Sequence, residues 1–128
     1  MKVLADTHTL AWFAEDAAEL TADMRAIIED DENILFFSSA SIWELAIKKA
    51  LKKVNFRLEP RTLHRALLIN GFEELSVTSF HALLVETLPP IHKDPFDRLL
   101  IAQATHEDML LLTSDATVAQ YEGPIRLV

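Results

Sequence analysis

Short apolar runs that close on an acid or a hydroxyl alternate along this chain with stretches whose apolar residues recur every three or four positions. "KVLAD", residues 2–6, is such a run and stops at Asp6, while "THTLAWFAE" continues with Leu10, Phe13 and Ala14 on one helical face, so strand then helix is predicted. Thr21 caps a second predicted helix reaching Asp30, with Leu20 before it as a hydrophobic staple and Met24, Ile27 and Ile28 on its inner face. "NILFFSS" is apolar without alternation, which suits a strand buried on both faces of a parallel sheet. "SASIWELAIKKALKK" then reads as a helix with Ile42, Leu45, Ala46 and the stem of Lys49 inward and its lysines outward. Pro60 opens another, whose apolar face is Leu63, Leu67 and Leu68.

"GFEELSVTS" reads as turn, strand and a cap at Thr78 or Ser79 for a helix through Glu86. Pro89 and Pro90 enforce a loop before "KDPFDRLLIAQA", where Asp94 is the predicted N-cap, Pro95 the first helical residue and Asp97 the third, with the helix running to about Asp108. "MLLLTSD" is the next buried strand, Ala116 to Gln120 a helical turn, and "IRLV" a last strand. Strands alternating with helices predict one α/β domain over residues 1–128, with a mainly parallel sheet and right-handed crossovers.

At 128 residues the chain is long enough to remove roughly two thirds of its unfolded surface from water, so no staples are required. Cysteine is absent, which removes disulfides, thiolate metal sites and a Cys nucleophile, and cytoplasm is the expected compartment. Asp6 interrupts the N-terminus too early for a signal-peptide core, and no run is long enough to span a membrane. A net charge of −8 ordinarily opposes a nucleic-acid partner. The charge is uneven, however. Lys48, Lys49, Lys52, Lys53, Arg57, Arg61 and Arg65 crowd into one stretch and are candidate contacts for RNA phosphates, although solvated helix faces also look like this.

In an open parallel sheet, whatever follows the strands gathers along one edge, where such folds bind ligands. Asp6, Glu44, Asp97 and Asp115 all fall at that edge or in the first turn of a helix that starts there. Each alone has a structural reading as a cap or dipole partner; Ser41 to Glu44 fits a capping box. Gathered together, three or four carboxylates repel one another unless their pKa values rise or a cation joins them. Mg²⁺ or Mn²⁺ meets that need with oxygen ligands and supports phosphodiester hydrolysis. Asp6 and Asp97 are the expected direct ligands, with Glu44 and Asp115 holding bound waters, completing a second site or assisting proton transfer. The five histidines show no paired zinc-type spacing and are read as surface or satisfied core residues, and Trp12, Phe13 and Trp43 as core or dimer contacts. Arg98 is placed to pair with a nearby acid or an inhibitor group.

"LADTHTLAWF", "SSASIWELAIKKALKK", "HKDPFDRLLIAQA" and "LLTSDATV" resemble, in order and spacing, the motifs of PIN-domain ribonucleases, in particular VapC-like toxins of bacterial toxin–antitoxin pairs. The resemblance runs from residue 3 to about residue 118. It implies a three-layer α/β/α sandwich with a parallel five-stranded sheet, a Mg²⁺- or Mn²⁺-dependent endoribonuclease activity, a cognate antitoxin and a homodimer. The family's acids map onto Asp6, Glu44, Asp97 and Asp115, with Thr113 or Ser114 as a nearby hydroxyl and Asp94 as a cap or support. The alternative reading is a catalytically inactive PIN-fold module that binds RNA or protein.

Overall fold

The computed structural model describes residues 1–52 and 59–128, so Lys53 and Arg57 lie outside the described residues. Five strands, β1 (Lys2–Ala5), β2 (Ile34–Ser38), β3 (Glu73–Leu75), β4 (Leu110–Thr113) and β5 (Ile125–Leu127), form one sheet in the order β3-β2-β1-β4-β5, and every pairing is parallel. The helices are α1 (Thr7–Glu15), α2 (Ala22–Glu29), α3 (Ser39–Ala50), α4 (Pro60–Ile69), α5 (Ser79–Val85) and α6 (Pro95–Glu107), with a 3-10 turn at Val118–Gln120. No described helix is long and apolar enough to cross a membrane.

Successive strand side chains point to opposite faces, so an unbroken apolar strand must be covered twice. Register makes this visible: Leu4 lies opposite both Phe36 and Leu111, and the three share one core with Leu100, Ile101, Ala104, Val118 and Tyr121. Val3, Ala5, Leu35, Phe37 and Leu112 face the other way, into a second core with Leu10, Met24, Ile27, Leu63 and Leu67. Helix α6 therefore covers one face while α1, α2 and α4 cover the other, which is the expected α/β/α layering. Full burial of each large apolar side chain stabilises the fold by roughly 1.5–3 kcal/mol.

Three details differ from expectation. Helix α3 begins at Ser39 and is capped by Ser38, whose hydroxyl accepts the Ala40 amide, so Ser41 and Glu44 lie inside the helix and make no capping box. The buried positions of α3 are Ala40, Ser41, Glu44 and Leu45, with Ile42 packed against the core as expected and Ala46 exposed. On α4, Leu63 and Leu67 are buried but Leu68 is half exposed. The other caps form as predicted: Thr21 accepts the Met24 amide, and Thr78 closes a capping box in which the third helical residue is His81.

Topology fixes where a ligand can sit. From β1 the chain moves outward through β2 and β3, then returns to place β4 and β5 on the other side of β1. The point of reversal lies between β1 and β4, and in open parallel sheets the crevice beyond the strands' carboxyl ends at such a point is the ligand site. Asp6 follows β1 and Asp115 follows β4 by two residues.

Candidate active site

Asp6 is the N-cap of α1. Its Oδ1 accepts the Thr9 amide at 2.9 Å and its Oδ2 accepts the Thr113 hydroxyl at 2.7 Å, at a side chain only 5 % exposed. Thr113 Oγ1 also accepts the Asp115 amide at 3.0 Å, so one hydroxyl joins the acids that end β1 and β4. Thr113, not Ser114, is thus the hydroxyl in contact with the acids. Asp115 closes its own turn by accepting the Thr117 amide at 2.8 Å.

Glu44 is 2 % exposed, and a buried carboxylate must be paired and hydrogen-bonded. Lys48, one turn later on α3, pairs with its Oε2, and Thr7 Oγ1 donates to its Oε1 at 2.8 Å. Thr7 Oγ1 also lies 2.9 Å from Ser41 Oγ; since a hydroxyl carries one proton and the carboxylate can only accept, Ser41 donates to Thr7. Burial acts to lower the Lys48 pKa, but its hydrogen bond to Glu44 and the charges of Glu44, Asp94 and Asp97 outweigh that and raise it. Lys48 is therefore turned into the acidic site rather than out to solvent.

At the start of α6, Asp94 is the N-cap, accepting the Phe96 amide at 2.9 Å, and Pro95 occupies the first turn as expected. Asp97 is held differently: among the described residues no backbone amide donates to it, and its partner is His92, whose Nε2 lies 3.1 Å from Oδ2. The same Nε2 hydrogen-bonds Asp115 Oδ2 at 3.0 Å. Desolvation, then the charges of Asp94 and Asp6, with a smaller push from Glu44, raise the Asp97 pKa from 3.8 to about 7, against the opposing effect of His92. Burial pushes Asp115 the same way, but the His92 hydrogen bond and the Thr117 and Val118 amides overcome it and leave that carboxyl below its ordinary value.

The four acids are thus linked in series: Glu44 to Thr7, next in chain to Asp6; Asp6 through Thr113 to Asp115; Asp115 through His92 to Asp97. Thr7 and His92 were not singled out for this role from sequence. Thr7 could have been found, because its position one residue after a strand-terminal Asp puts it at the same sheet edge. His92 stands five residues before Asp97, across the Asp94 cap and Pro95, and no local periodicity reports that return. Arg98, expected to pair with a nearby acid or an inhibitor group, meets no acid among the described residues and donates to the carbonyls of Val85, Leu88 and Pro89 and to Tyr121 Oη, fastening the loop that carries His92.

Of the candidate phosphate contacts, Lys49 pairs with Glu59, while Lys52, Arg61 and Arg65 are exposed. Trp12 and Phe13 pack against the core; Trp43 is 60 % exposed and meets Phe96 edge-on, with ring centroids 5.3 Å apart, beside Glu44 and Asp97 in sequence. A cleft of about 520 Å³ between α3 and α4 is lined by Ile42, Lys49, Glu59 and His64 and by none of the four acids. The donor set of the acid chain is all carboxylate and hydroxyl oxygen apart from His92 and Lys48, chemistry that suits a hard divalent cation better than a soft one.

Comparisons with known proteins bear on this edge. A search of curated protein sequences found no significant match. Among solved structures, a chain in the crystal structure of VapBC2 from Rickettsia felis bound to a DNA fragment from the promoter superposes with a TM-score of 0.70 at 13 % identity, over 99 % of this chain and 98 % of that one. A chain of VapBC-1 from nontypeable Haemophilus influenzae gives 0.59 at 17 % identity, over 94 % and 91 %. At such identities the likeness is one of fold. The family description that matches in sequence is that of the PIN domain, over residues 3–124. With that match spanning nearly the whole chain, the protein belongs to the PIN domain family.

Proposed function

We propose that this protein is a Mg²⁺- or Mn²⁺-dependent endoribonuclease and the toxin of a toxin–antitoxin pair, working in the cytoplasm as a homodimer and restrained by a cognate antitoxin. Asp97 carries the reading. A cap needs no raised pKa, and Asp97 caps nothing: the fold holds it among Asp94, Asp6 and Glu44 with its charge disfavoured. A divalent cation reverses that penalty, because it favours the ionised form of every acid around it. Support for the toxin role is the fold shared with chains of VapBC complexes and membership of the PIN family.

Asp6 and Asp97 would hold the ion directly, with Glu44 and Asp115 acting through water. When bound, the metal supplies Lewis-acid activation of water and neutralises charge on the phosphate. The protein's own residues do the rest. Thr113 and the Thr9 amide fix the Asp6 carboxylate, Thr7 and Lys48 fix Glu44, and Asp115 stays ionised beside His92, leaving Glu44 and Asp115 to assist proton transfer. Exposed Lys52, Arg61 and Arg65 are left to meet RNA phosphates.

The test is cleavage of a mixed RNA substrate by purified protein in Mn²⁺ or Mg²⁺ and in EDTA, alongside Asp97→Asn. Metal-dependent cutting by the wild type, absent from the variant, is the expected result. Cutting that survives Asp97→Asn at the wild-type rate would contradict the assignment.

A further inference from the structure

His92 has both ring nitrogens engaged, and the order of the two bonds is informative. Its Nδ1 receives the main-chain N–H of Asp94 at 3.0 Å. A main-chain amide can only donate, so Nδ1 carries no proton and the ring's proton sits on Nε2. That nitrogen faces Asp115 Oδ2 at 3.0 Å and Asp97 Oδ2 at 3.1 Å. The residue's own backbone N–H donates to Tyr121 Oη at 2.7 Å, and Tyr121 is buried in the α6-side core and braced by Arg98. The imidazole is thus anchored through its backbone and through one ring nitrogen, with the other aimed at two acids.

We propose that His92 is a positioning residue of the acidic site: its Nε2–H, fixed by the Asp94 amide, donates to Asp115 and holds it while lying against Asp97, and the ring is not itself a metal ligand. This rests on the reading of those two acids as part of a metal site. Distance alone would allow the opposite, since ligand atoms of His92, Asp97 and Asp115 lie within 4.8 Å of one another. Ligation through Nε2, however, requires that nitrogen to lose its proton. Either the ring becomes an imidazolate, or a proton moves to Nδ1 and confronts the Asp94 N–H, breaking the turn that leads into the Asp94 cap of α6. A donor that holds one oxygen of a carboxylate leaves the other to the metal, the usual part of an outer-shell partner. Elsewhere in the fold His81 is held the same way, Nδ1 on the Thr78 amide and Nε2 3.2 Å from Glu107, where the same tautomer serves a helix cap.

The experiment combines ¹⁵N NMR of the histidine rings, with and without saturating Mg²⁺, and Mn²⁺ titration of wild type, His92→Gln, His92→Asn and Asp97→Asn. Glutamine can place an amide N–H near the position of Nε2; asparagine reaches only that of Nδ1. The His92 Nε2 proton should persist in both states, His92→Asn should bind Mn²⁺ about 10-fold more weakly or worse, and His92→Gln should recover most of that loss. Loss of the Nε2 proton on Mg²⁺ loading would overturn the proposal, as would wild-type Mn²⁺ affinity in His92→Asn. The NMR arm needs no variant, so a poorly folded mutant leaves the question answerable. Failure of the wild type to bind Mn²⁺, or equal binding by Asp97→Asn, would overturn the metal-site reading instead.

Discussion

Asp97 is kept at a cost to the apoprotein. Between about pH 4, where an unfolded aspartate releases its proton, and about pH 7, where the folded one does, the folded chain binds more protons than the unfolded chain. Stability contributed by protonated Asp97 is therefore complete at low pH and is lost as pH rises through 7. Asp97→Asn cannot ionise, so it should match the wild type near pH 4 and gain on it through this window. With the carboxyl partly exposed, the gain at pH 8 is on the order of 2 kcal/mol, readable by urea unfolding at several pH values. An offset between the two proteins that did not change with pH would show that the site does not disfavour the charge. The acids themselves were legible in sequence because strand ends and helix starts have local signatures. Their linkers were not: a threonine after an aspartate, or a histidine in a proline-rich loop, acquires its role only when distant segments meet.

Helix caps explain both what sequence reveals about elements and where it misleads. The start of α6 was readable to the residue, since Asp94 and Pro95 leave a single place for a first turn. The start of α3 was not: "SSAS" offers three serines, and the choice fell to Ser38 because β2 runs to that residue in register with Leu75 of β3. Glu44 was released from capping and turned inward, where it is one of the four acids. Asp94 can be dissected by the same logic, because it both caps α6 and raises the pKa of Asp97. Asp94→Ala should cost about 1 kcal/mol through the lost cap, while Asp94→Asn should keep the cap within a few tenths. Both should bring the Asp97 pKa below 7, observable by carboxyl ¹³C NMR titration. An unmoved Asp97 pKa in Asp94→Asn would show that the Asp94 charge has no part in raising it.

For the molecule as a whole, layering followed from composition and period: unbroken apolar strands needed helices on both faces, and the register of Leu4 with Phe36 and Leu111 shows that cover on one side. Strand order did not follow, because the pattern in a strand says which faces are buried and not which strand lies alongside. That order decides the site, since only with β4 beside β1 do Asp6 and Asp115 share Thr113. A protein of net charge −8 must also recruit positive charge to hold an anionic substrate, and Lys48 and Arg98 are already committed within the fold.

Calorimetric titration of Mn²⁺ into wild type and Asp97→Asn at pH 7, in two buffers of different ionisation enthalpy, asks whether these acids form a metal site. Binding by the wild type should release protons, because the raised pKa of Asp97 leaves part of the population protonated there and the ion requires it ionised. Affinity should rise with pH up to about 8, and binding by Asp97→Asn should be lost or weakened at least ~10-fold. Equal affinity in the two proteins, with no buffer-dependent heat, would contradict a metal site at these four acids.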